Sequence, residues 1–170
     1  YLRHRARKQP EYLEHWDERF GWSPFPELTS RPRLWFHAVS VGETLASRSL
    51  IAQFLRRYPD SEILLTCMTP TGRQIGQKLT QAWPGRITQC YLPYDTPELT
   101  ARFFDQTHPK MGIIMETEVW PNLMEAAKER AIPVILANAR ESEKSRRQAA
   151  RFLSVMQPAF AAFSLVLAQS

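Results

Sequence analysis

The sequence is poor in the residues that build metal centres and disulfide frameworks. Its 170 residues include two cysteines, Cys67 and Cys90, and four histidines. Both cysteines lie in or beside apolar runs, with no C-x-x-C pair and no His/Cys cluster, so we expect no structural zinc site. Two such isolated thiols are typical of a reduced, cytosolic protein. His37 has no second histidine at ligand spacing, which predicts a core histidine rather than a metal ligand.

Long apolar runs and the common nucleotide-binding signatures are also missing from the sequence. No stretch of about 18 apolar residues occurs, so we predict no membrane-spanning helix, and no signal peptide is recognisable. The patterns G-x-G-x-x-G and G-x-x-x-x-G-K-[ST] do not occur, which argues against the usual dinucleotide site and against a P-loop. G-x-S-x-G does not occur either, which argues against an α/β-hydrolase.

The composition that is present is that of one globular domain with a positive net charge. Hydrophobic residues make up 44% of the chain and charged residues 23%, and this length is enough for one core. The net charge of +5 favours an anionic partner such as a phospholipid surface or a phosphorylated substrate, with a solvated basic face as the alternative. Nucleic acid is disfavoured, because the chain has no basic helix or aromatic platform of the recognised kinds.

Residues 1–30 differ from the rest of the chain. The first eight residues include four arginines and lysines and no acid. Tyr12, Leu13, Trp16 and Phe20 follow at helical spacing and predict a short amphipathic helix. A basic, aromatic helix can lie on an anionic membrane or pack on its own domain. We interpret residues 1–30 as a membrane-proximal segment ahead of a domain that comprises residues 31–170.

From residue 33 onward, short apolar runs alternate with helical patterns. The clearest helical pattern covers residues 44–58, and Pro121 predicts the first turn of another helix that runs to about residue 131. Strands that alternate with helices predict an α/β fold, a Rossmann-like parallel sheet with helices on both faces. The predicted strands are residues 34–39, 63–67, 87–92, 111–115, 133–137 and 163–168.

Ligands of such a sheet bind at the loops that follow the carboxyl ends of the strands. Gly42 and Glu43 come directly after the first strand, where a glycine allows close approach of a ligand and a helix N-terminus suits a carboxylate or phosphate. Glu43 is therefore either a catalytic carboxylate or an acid that complements the helix dipole.

Two further loops at this edge contain candidate residues. Thr69, Thr71 and Gly72 form a hydroxyl-rich turn that caps the next helix or contacts a sugar or phosphate, and capping is the favoured interpretation. Glu116 and Glu118 follow the fourth strand, and would point to the same face if the strand pattern continued. A carboxylate near a buried edge is either functional or a structural hydrogen-bond acceptor.

Five segments together resemble the signature of the 3-deoxy-D-manno-octulosonic acid (Kdo) transferases. They are HAVSVGET at residues 37–44, TCMTPTG at 66–72, YLPYD at 91–95, METEVWPN at 115–122 and ANAR at 137–140. The resemblance implies an inverting, metal-independent glycosyltransferase of the GT-B type without a cofactor, in which two Rossmann-like domains face each other across a cleft. This chain would be the N-terminal, acceptor-binding domain, and the C-terminal domain that binds the donor CMP-Kdo would lie outside it.

The resemblance also implies roles for individual residues. Glu43 matches the general base that activates a hydroxyl of the lipid A precursor, lipid IVA. Glu116, or less favourably Glu118, matches a second acid that supports the transition state. The residues that would line the acceptor site are Ser40, Gly42, Thr69, Thr71 and Gly72. Basic residues at the start of the chain and between 140 and 151 would meet lipid phosphates at the cytoplasmic face of the inner membrane of a Gram-negative bacterium.

A different class of function stays open at this point. The chain can also be a non-catalytic α/β module that binds an acidic lipid or partner without turnover. If it is the acceptor domain of a transferase, it should fold on its own but transfer no Kdo, because half of the cleft would be missing.

Overall fold

A computed structural model describes residues 2–27, 29–116, 118–139 and 153–168. Six parallel strands form one sheet in the order β3-β2-β1-β4-β5-β6. The strands are β1 (Arg33–His37), β2 (Glu62–Cys67), β3 (Ile87–Tyr91), β4 (Met111–Met115), β5 (Val134–Ala139) and β6 (Leu165–Ala168). The chain order reverses at β1, which lies between β2 and β4, and this switch point is where doubly wound sheets bind ligands.

Helices connect the strands on both faces of the sheet. They are α1 (Leu2–Ala6), α2 (Trp16–Arg19), α3 (Val41–Arg57), α4 (Pro70–Ala82), α5 (Pro97–Thr107), α6 (Pro121–Glu129) and α7 (Leu153–Ala161), with a 3-10 turn at Pro10–Leu13. Proline at the first position begins α4, α5 and α6, where its missing N–H costs no hydrogen bond. No helix within the described ranges is long and apolar enough to cross a membrane.

Two hydrophobic clusters fill the space between the sheet and its helices. One face joins Trp35, Leu64 and Ile114 to side chains of α5, α6 and α7. The other joins Phe36 and Leu65 to side chains of α3 and α4. Alternate residues of β1 thus enter opposite cores, as the period of two requires. Because both faces are covered, β1 and β2 are buried along their whole length.

The predicted fold class is confirmed, and the boundaries of its elements shift by one to three residues. Helix α3 begins at Val41 rather than at residue 44, because the Ser40 side chain accepts a hydrogen bond from the Glu43 N–H and caps the helix earlier. All six predicted strands are present. Continuous apolar runs locate buried strands well, whereas their ends depend on where ladder hydrogen bonds stop.

The single amphipathic helix that we predicted around residues 12–20 is wrong. His15 adopts a left-handed backbone with a φ of 53°, which separates the 3-10 turn from α2. The segment is also tied to the domain, because Glu18 forms a two-pronged ion pair with Arg73 at 2.6 and 2.9 Å. The buried Arg19 guanidinium lies 3.7 Å from the ring centroid of Tyr91. A membrane-proximal role for residues 1–30 stays a prediction.

A buried ion pair lies at the amino edge of the sheet, where the strands begin, and the candidate site lies at the opposite edge, where they end. Arg33 and Glu62 begin the paired strands β1 and β2, and Arg33 Nε donates to Glu62 Oε1 at 2.6 Å. Thr29 donates to the other Glu62 oxygen at 2.6 Å. Arg33 also donates to the carbonyl oxygens of Pro26 and Glu27. Every charge here has an opposite charge or a hydrogen-bonding partner, as buried ions require.

Candidate active site at the carboxyl edge of the sheet

The turn between β1 and α3 holds Glu43 in a fixed position. Val39 N donates to Glu43 Oε2 at 2.7 Å, and Ser40 Oγ donates to Oε1 at 2.8 Å. The Glu43 N–H in turn donates to Ser40 Oγ at 3.4 Å. This reciprocal arrangement resembles a capping box, in which serine and glutamate satisfy the free N–H groups of a helix start. The geometry therefore gives Glu43 the structural role that we considered as its alternative, and its carboxylate still has unused lone pairs.

Burial changes the acidity of this carboxylate. Only 5% of Glu43 is exposed. Burial raises the pKa of Glu43 above its ordinary value, the hydrogen bonds from Val39 and Ser40 oppose that rise, and the negative charge of Glu116 adds to it. A carboxylate with a raised pKa is a better proton acceptor near neutral pH than an ordinary one.

The turn between β2 and α4 supports the Glu43 turn. Thr69 caps α4, because its Oγ1 accepts from Gly72 N at 3.0 Å, and it donates to the Val39 carbonyl oxygen at 2.9 Å. A Cβ on Gly72 would lie 2.9 Å from both Thr69 Oγ1 and the Val39 oxygen, so only glycine fits between the two turns. Capping is thus confirmed for Thr69, while contact of Thr69 or Gly72 with an acceptor stays a prediction.

The remaining predicted acceptor residues lie at the surface of the same edge. Gly42 and Thr71 are exposed and Ser40 is half-buried. A Cβ on Gly42 would have 3.9 Å to its nearest neighbour, Ser40 Oγ, so this backbone is open to a ligand. Thr71 Oγ1 lies 3.5 Å from Thr69 Oγ1. Hydroxyl groups and open backbone therefore surround the buried carboxylate.

The loop after β4 brings two more carboxylates to this edge. The strand ends at Met115, and Glu116 turns into the left-handed region with a φ of 63° while its N–H still donates to the Ala137 oxygen at 2.9 Å. The strand pattern does not continue to Glu118, so the condition under which Glu116 and Glu118 would point to the same face is not met. Glu118 is half-buried, and its Oε2 accepts a hydrogen bond from Trp120 Nε1 at 3.0 Å.

The three carboxylates act on one another electrostatically. Burial raises the pKa of Glu118, the charge of Glu43 raises it further, and the Trp120 hydrogen bond opposes the rise. The charge of Glu116 contributes to the raised pKa of both other acids. Like charges gathered at the end of a buried sheet are typical of sites that move protons or stabilise positive charge. Such a site can accept a proton from a hydroxyl and support a developing positive centre.

His37 lies beneath this site in the last position of β1. It is fully buried, and its Nδ1 lies 2.9 Å from Thr66 Oγ1. Burial lowers the pKa of His37 to about 3, so the imidazole is neutral at physiological pH. The prediction of a core histidine is confirmed. Within the described ranges, no group of three or more His, Cys, Asp or Glu side chains is placed to hold a metal ion, and metal independence stays a prediction.

Two residues of the site were not assigned a role from the sequence. Trp120 anchors Glu118, and Asp95 in the loop after β3 accepts hydrogen bonds from the first turn of α6. The available signal was the clustering of both residues in motifs at strand ends, but a motif does not show which side chains meet. The predicted phosphate contacts of residues 140–151 lie outside the described residues.

The comparison with known families decides the assignment. A model of the family described as 3-deoxy-D-manno-octulosonic-acid transferase (kdotransferase) matches residues 14–170. The chain belongs to the Kdo transferase family. The resemblance noted in the sequence is therefore confirmed over nearly all of the chain, and the three carboxylates lie in segments that the family model covers.

Individual relatives give the extent of the similarity. The chain is 43% identical over 139 residues to a Kdo transferase of Bordetella pertussis, which covers 81% of this chain and 32% of the relative. It is 34% identical over 162 residues to a Kdo transferase of Haemophilus influenzae, which covers 95% of this chain and 37% of the relative. The chain thus spans about a third of the length of these curated Kdo transferases.

The fold also occurs outside the family. A crystal structure of UDP-N-acetylglucosamine 2-epimerase superposes with a TM-score of 0.54 and 15% sequence identity, and the match covers 82% of this chain and 42% of that one. At this identity the likeness concerns the fold alone. It supports the Rossmann-like architecture of the Kdo transferase domain.

Proposed function

We propose that this chain is the acceptor-binding part of a longer, inverting GT-B glycosyltransferase. The complete enzyme transfers Kdo from CMP-Kdo to the lipid A precursor lipid IVA in lipopolysaccharide biosynthesis, without a metal ion. Family membership supports Kdo as the transferred sugar. The observation that carries the proposal is Glu43, a buried carboxylate with a raised pKa and open backbone beside it.

Glu43 acts in this proposal as the general base. A primary hydroxyl of the acceptor attacks the anomeric carbon of Kdo, its proton passes to the Glu43 carboxylate, and CMP leaves from the opposite face with the electrons of the broken bond. An alcohol is a poor nucleophile until a positioned carboxylate shares its proton. Attack opposite to the leaving group inverts the anomeric centre. The donor would bind to the part of the enzyme outside this chain, so the chain alone should transfer no Kdo.

The other carboxylates and the hydroxyl groups have supporting roles. Either Glu116 or Glu118 is the second acid, which stabilises positive charge that develops on the sugar in the transition state, as preorganised charges do in other enzymes. Ser40, Gly42, Thr69, Thr71 and Gly72 form the acceptor side of the site. Their open backbone and hydroxyl groups suit the polar headgroup of a lipid.

A lipid acceptor places the enzyme at the cytoplasmic face of the inner membrane. Aromatic side chains near the site support this location. Phe20 and Trp22 stack at a centroid distance of 5.0 Å, Phe20 also packs on Tyr94 of the loop after β3, and Trp22 is 69% exposed. Exposed tryptophan suits the interface between a bilayer and water.

The decisive experiment replaces Glu43 by glutamine in the complete enzyme. Glutamine keeps the size of the side chain, its oxygen can still accept from Val39 N, and its NH2 group can donate to Ser40 Oγ, but it is not a base. We expect Kdo transfer from CMP-Kdo to lipid IVA, measured in the presence of EDTA, to fall by roughly a hundredfold or more, while acceptor binding and the melting temperature are kept.

Glu98→Gln is the matched control, because Glu98 is an exposed acid in the first turn of α5. It should transfer Kdo at the rate of the wild type. Near-normal transfer by Glu43→Gln would show that Glu43 is a structural acid of the helix start only, and the base would have to be sought at Glu116 or Glu118.

A further inference from the structure

The contact between Trp120 and Glu118 joins the core of the domain to its charged edge. Trp120 is half-buried, and its side chain packs against the hydrophobic cluster that contains Trp35, Ile114 and Leu123. From this anchored ring, the indole Nε1–H donates to Glu118 Oε2 at 3.0 Å. An indole nitrogen is only a donor, so this contact favours the carboxylate form and one orientation of Glu118.

The backbone that carries Trp120 is held as well. Trp120 is the residue before the first turn of α6, and its carbonyl oxygen accepts from Met124 N at 3.0 Å. The Asp95 carboxylate accepts hydrogen bonds from two free N–H groups of this helix start, from Leu123 N at 2.8 Å and from Asn122 N at 3.2 Å. Asn122 Nδ2 also donates to the Asp95 carbonyl oxygen at 2.9 Å. The loop after β3 thus holds the backbone next to Trp120, and the hydrophobic core holds its indole ring.

Glu118 needs such an anchor because its neighbours repel it. Glu43 and Glu116 act on it with charges of the same sign, and among the described residues Glu118 takes part in no ion pair. A free glutamate side chain relieves like-charge repulsion by rotating towards water. The hydrogen bond from Trp120 opposes that rotation and keeps the negative charge of Glu118 at the edge that carries Glu43. There it stabilises the positive charge that develops on the sugar in the proposed reaction.

We propose that Trp120 is a positioning residue of the transfer reaction, whose indole N–H holds Glu118 beside Glu43 as the second working carboxylate. The inference rests on the proposed function, and it selects Glu118 over Glu116. Glu116 has a strained, left-handed backbone instead, and no side-chain hydrogen bond to it is recorded within the described residues.

A double-mutant cycle in the complete enzyme tests the inference. Trp120→Phe keeps an aromatic ring in the core but removes the N–H, and Glu118→Gln keeps an acceptor for the indole but removes the charge. We expect Trp120→Phe to lower kcat by roughly tenfold, as the loss of a hydrogen bond to a charged group predicts. The acceptor KM should stay unchanged. In the Glu118→Gln background, the same substitution should lower kcat by less than about twofold.

The control variant is Trp83→Phe, which changes a half-buried indole at the end of α4 that packs against the other hydrophobic cluster and should leave kcat unchanged. An unchanged kcat in Trp120→Phe would overturn the inference. So would equal losses of kcat in both backgrounds, because they would show that Trp120 acts through folding or through another group.

A second readout leaves Trp120 intact and so does not depend on the folding of the tryptophan variant. The indole N–H resonance of Trp120, followed by NMR in the ¹⁵N-labelled enzyme, should move in Glu118→Gln and stay in place in Glu116→Gln. A shift with Glu116→Gln alone would overturn the choice of Glu118. Full activity of Glu43→Gln would instead remove the proposed role of Glu43 as the base, and this inference with it.

Discussion

The two edges of the sheet treat buried charge in opposite ways. At the amino edge, Arg33 and Glu62 pair at 2.6 Å, and backbone carbonyls and Thr29 take up the remaining hydrogen bonds. At the carboxyl edge, burial and the charge of Glu116 raise the pKa of Glu43, and burial and the charges of Glu43 and Glu116 raise the pKa of Glu118. Among the described residues, no cation forms an ion pair with either acid. Both edges belong to the same sheet, and Glu43 is buried like Arg33 and Glu62, so burial alone does not explain the difference.

The comparison separates stability from function. An ion pair whose hydrogen bonds are all formed stabilises one arrangement of the side chains. Like charges without a counter-ion lower stability and are typical of functional sites. Substitutions at the amino edge should therefore change folding and leave the chemistry of the folded enzyme intact. Substitutions at the carboxyl edge should do the reverse.

The largest expected effect on stability is at the amino edge. Glu62→Gln leaves the Arg33 guanidinium, whose side chain is 1% exposed, without an opposite charge. We expect the free energy of unfolding to fall by about 3–5 kcal/mol, the usual cost of breaking a buried pair by removing one partner. Chemical denaturation of the chain measures this change. In the complete enzyme, the kcat of the fraction that folds should equal that of the wild type.

The double variant Arg33→Met with Glu62→Gln is the control for this prediction. It removes both charges, so it should regain part of the lost stability. A double variant that is less stable than Glu62→Gln alone would show that the contacts of Arg33 with the Pro26 and Glu27 carbonyls, not its charge, carry the effect.

Two helix caps of the same kind should differ in their effect on Kdo transfer. Ser40 caps α3 and Thr96 caps α5, and each side chain accepts one N–H. Replacement of either by alanine should cost about 1 kcal/mol of stability. Only Ser40→Ala should also lower Kdo transfer, because Ser40 Oγ additionally donates to Glu43 Oε1. Thermal unfolding and transfer assays on both variants measure the two effects. An equal loss of Kdo transfer in the two variants would refute a special role for Ser40.

The smallest effect depends on pH. Burial, and then the charge of Glu43, raises the pKa of Glu118 above its ordinary value of 4.5. The stability that such a group contributes is complete below the unfolded pKa and is lost as the pH rises through the folded pKa. Glu118→Gln should therefore be slightly more stable than the wild type at neutral pH, and the gap should close as the pH falls to about 4.5. Melting temperatures across this range would contradict the prediction if the gap were constant.

Much of the fold followed from local patterns. Short continuous apolar runs such as that of β2 are typical of strands buried on both faces, and proline at helix starts such as Pro70 marks the next element. The prediction failed at His15, whose left-handed backbone breaks an expected helix. Helical spacing of the aromatic residues could not show this, because Glu18 and Arg19 contact α4 and β3, which lie far away in the chain.

The candidate site divides in the same way. The sequence by itself determined that Glu43, Glu116 and Glu118 follow the ends of strands. Since parallel strands bring their carboxyl ends to one edge, it also indicated that these acids lie at the same edge of the sheet. Only the tertiary structure decided that β1 and β4 are neighbours, that the strand pattern stops at Glu116, and that an indole holds Glu118. These three features depend on contacts between side chains in turns that lie far apart in the chain. Burial and hydrogen bonding can select such contacts only after the sheet has brought the turns together.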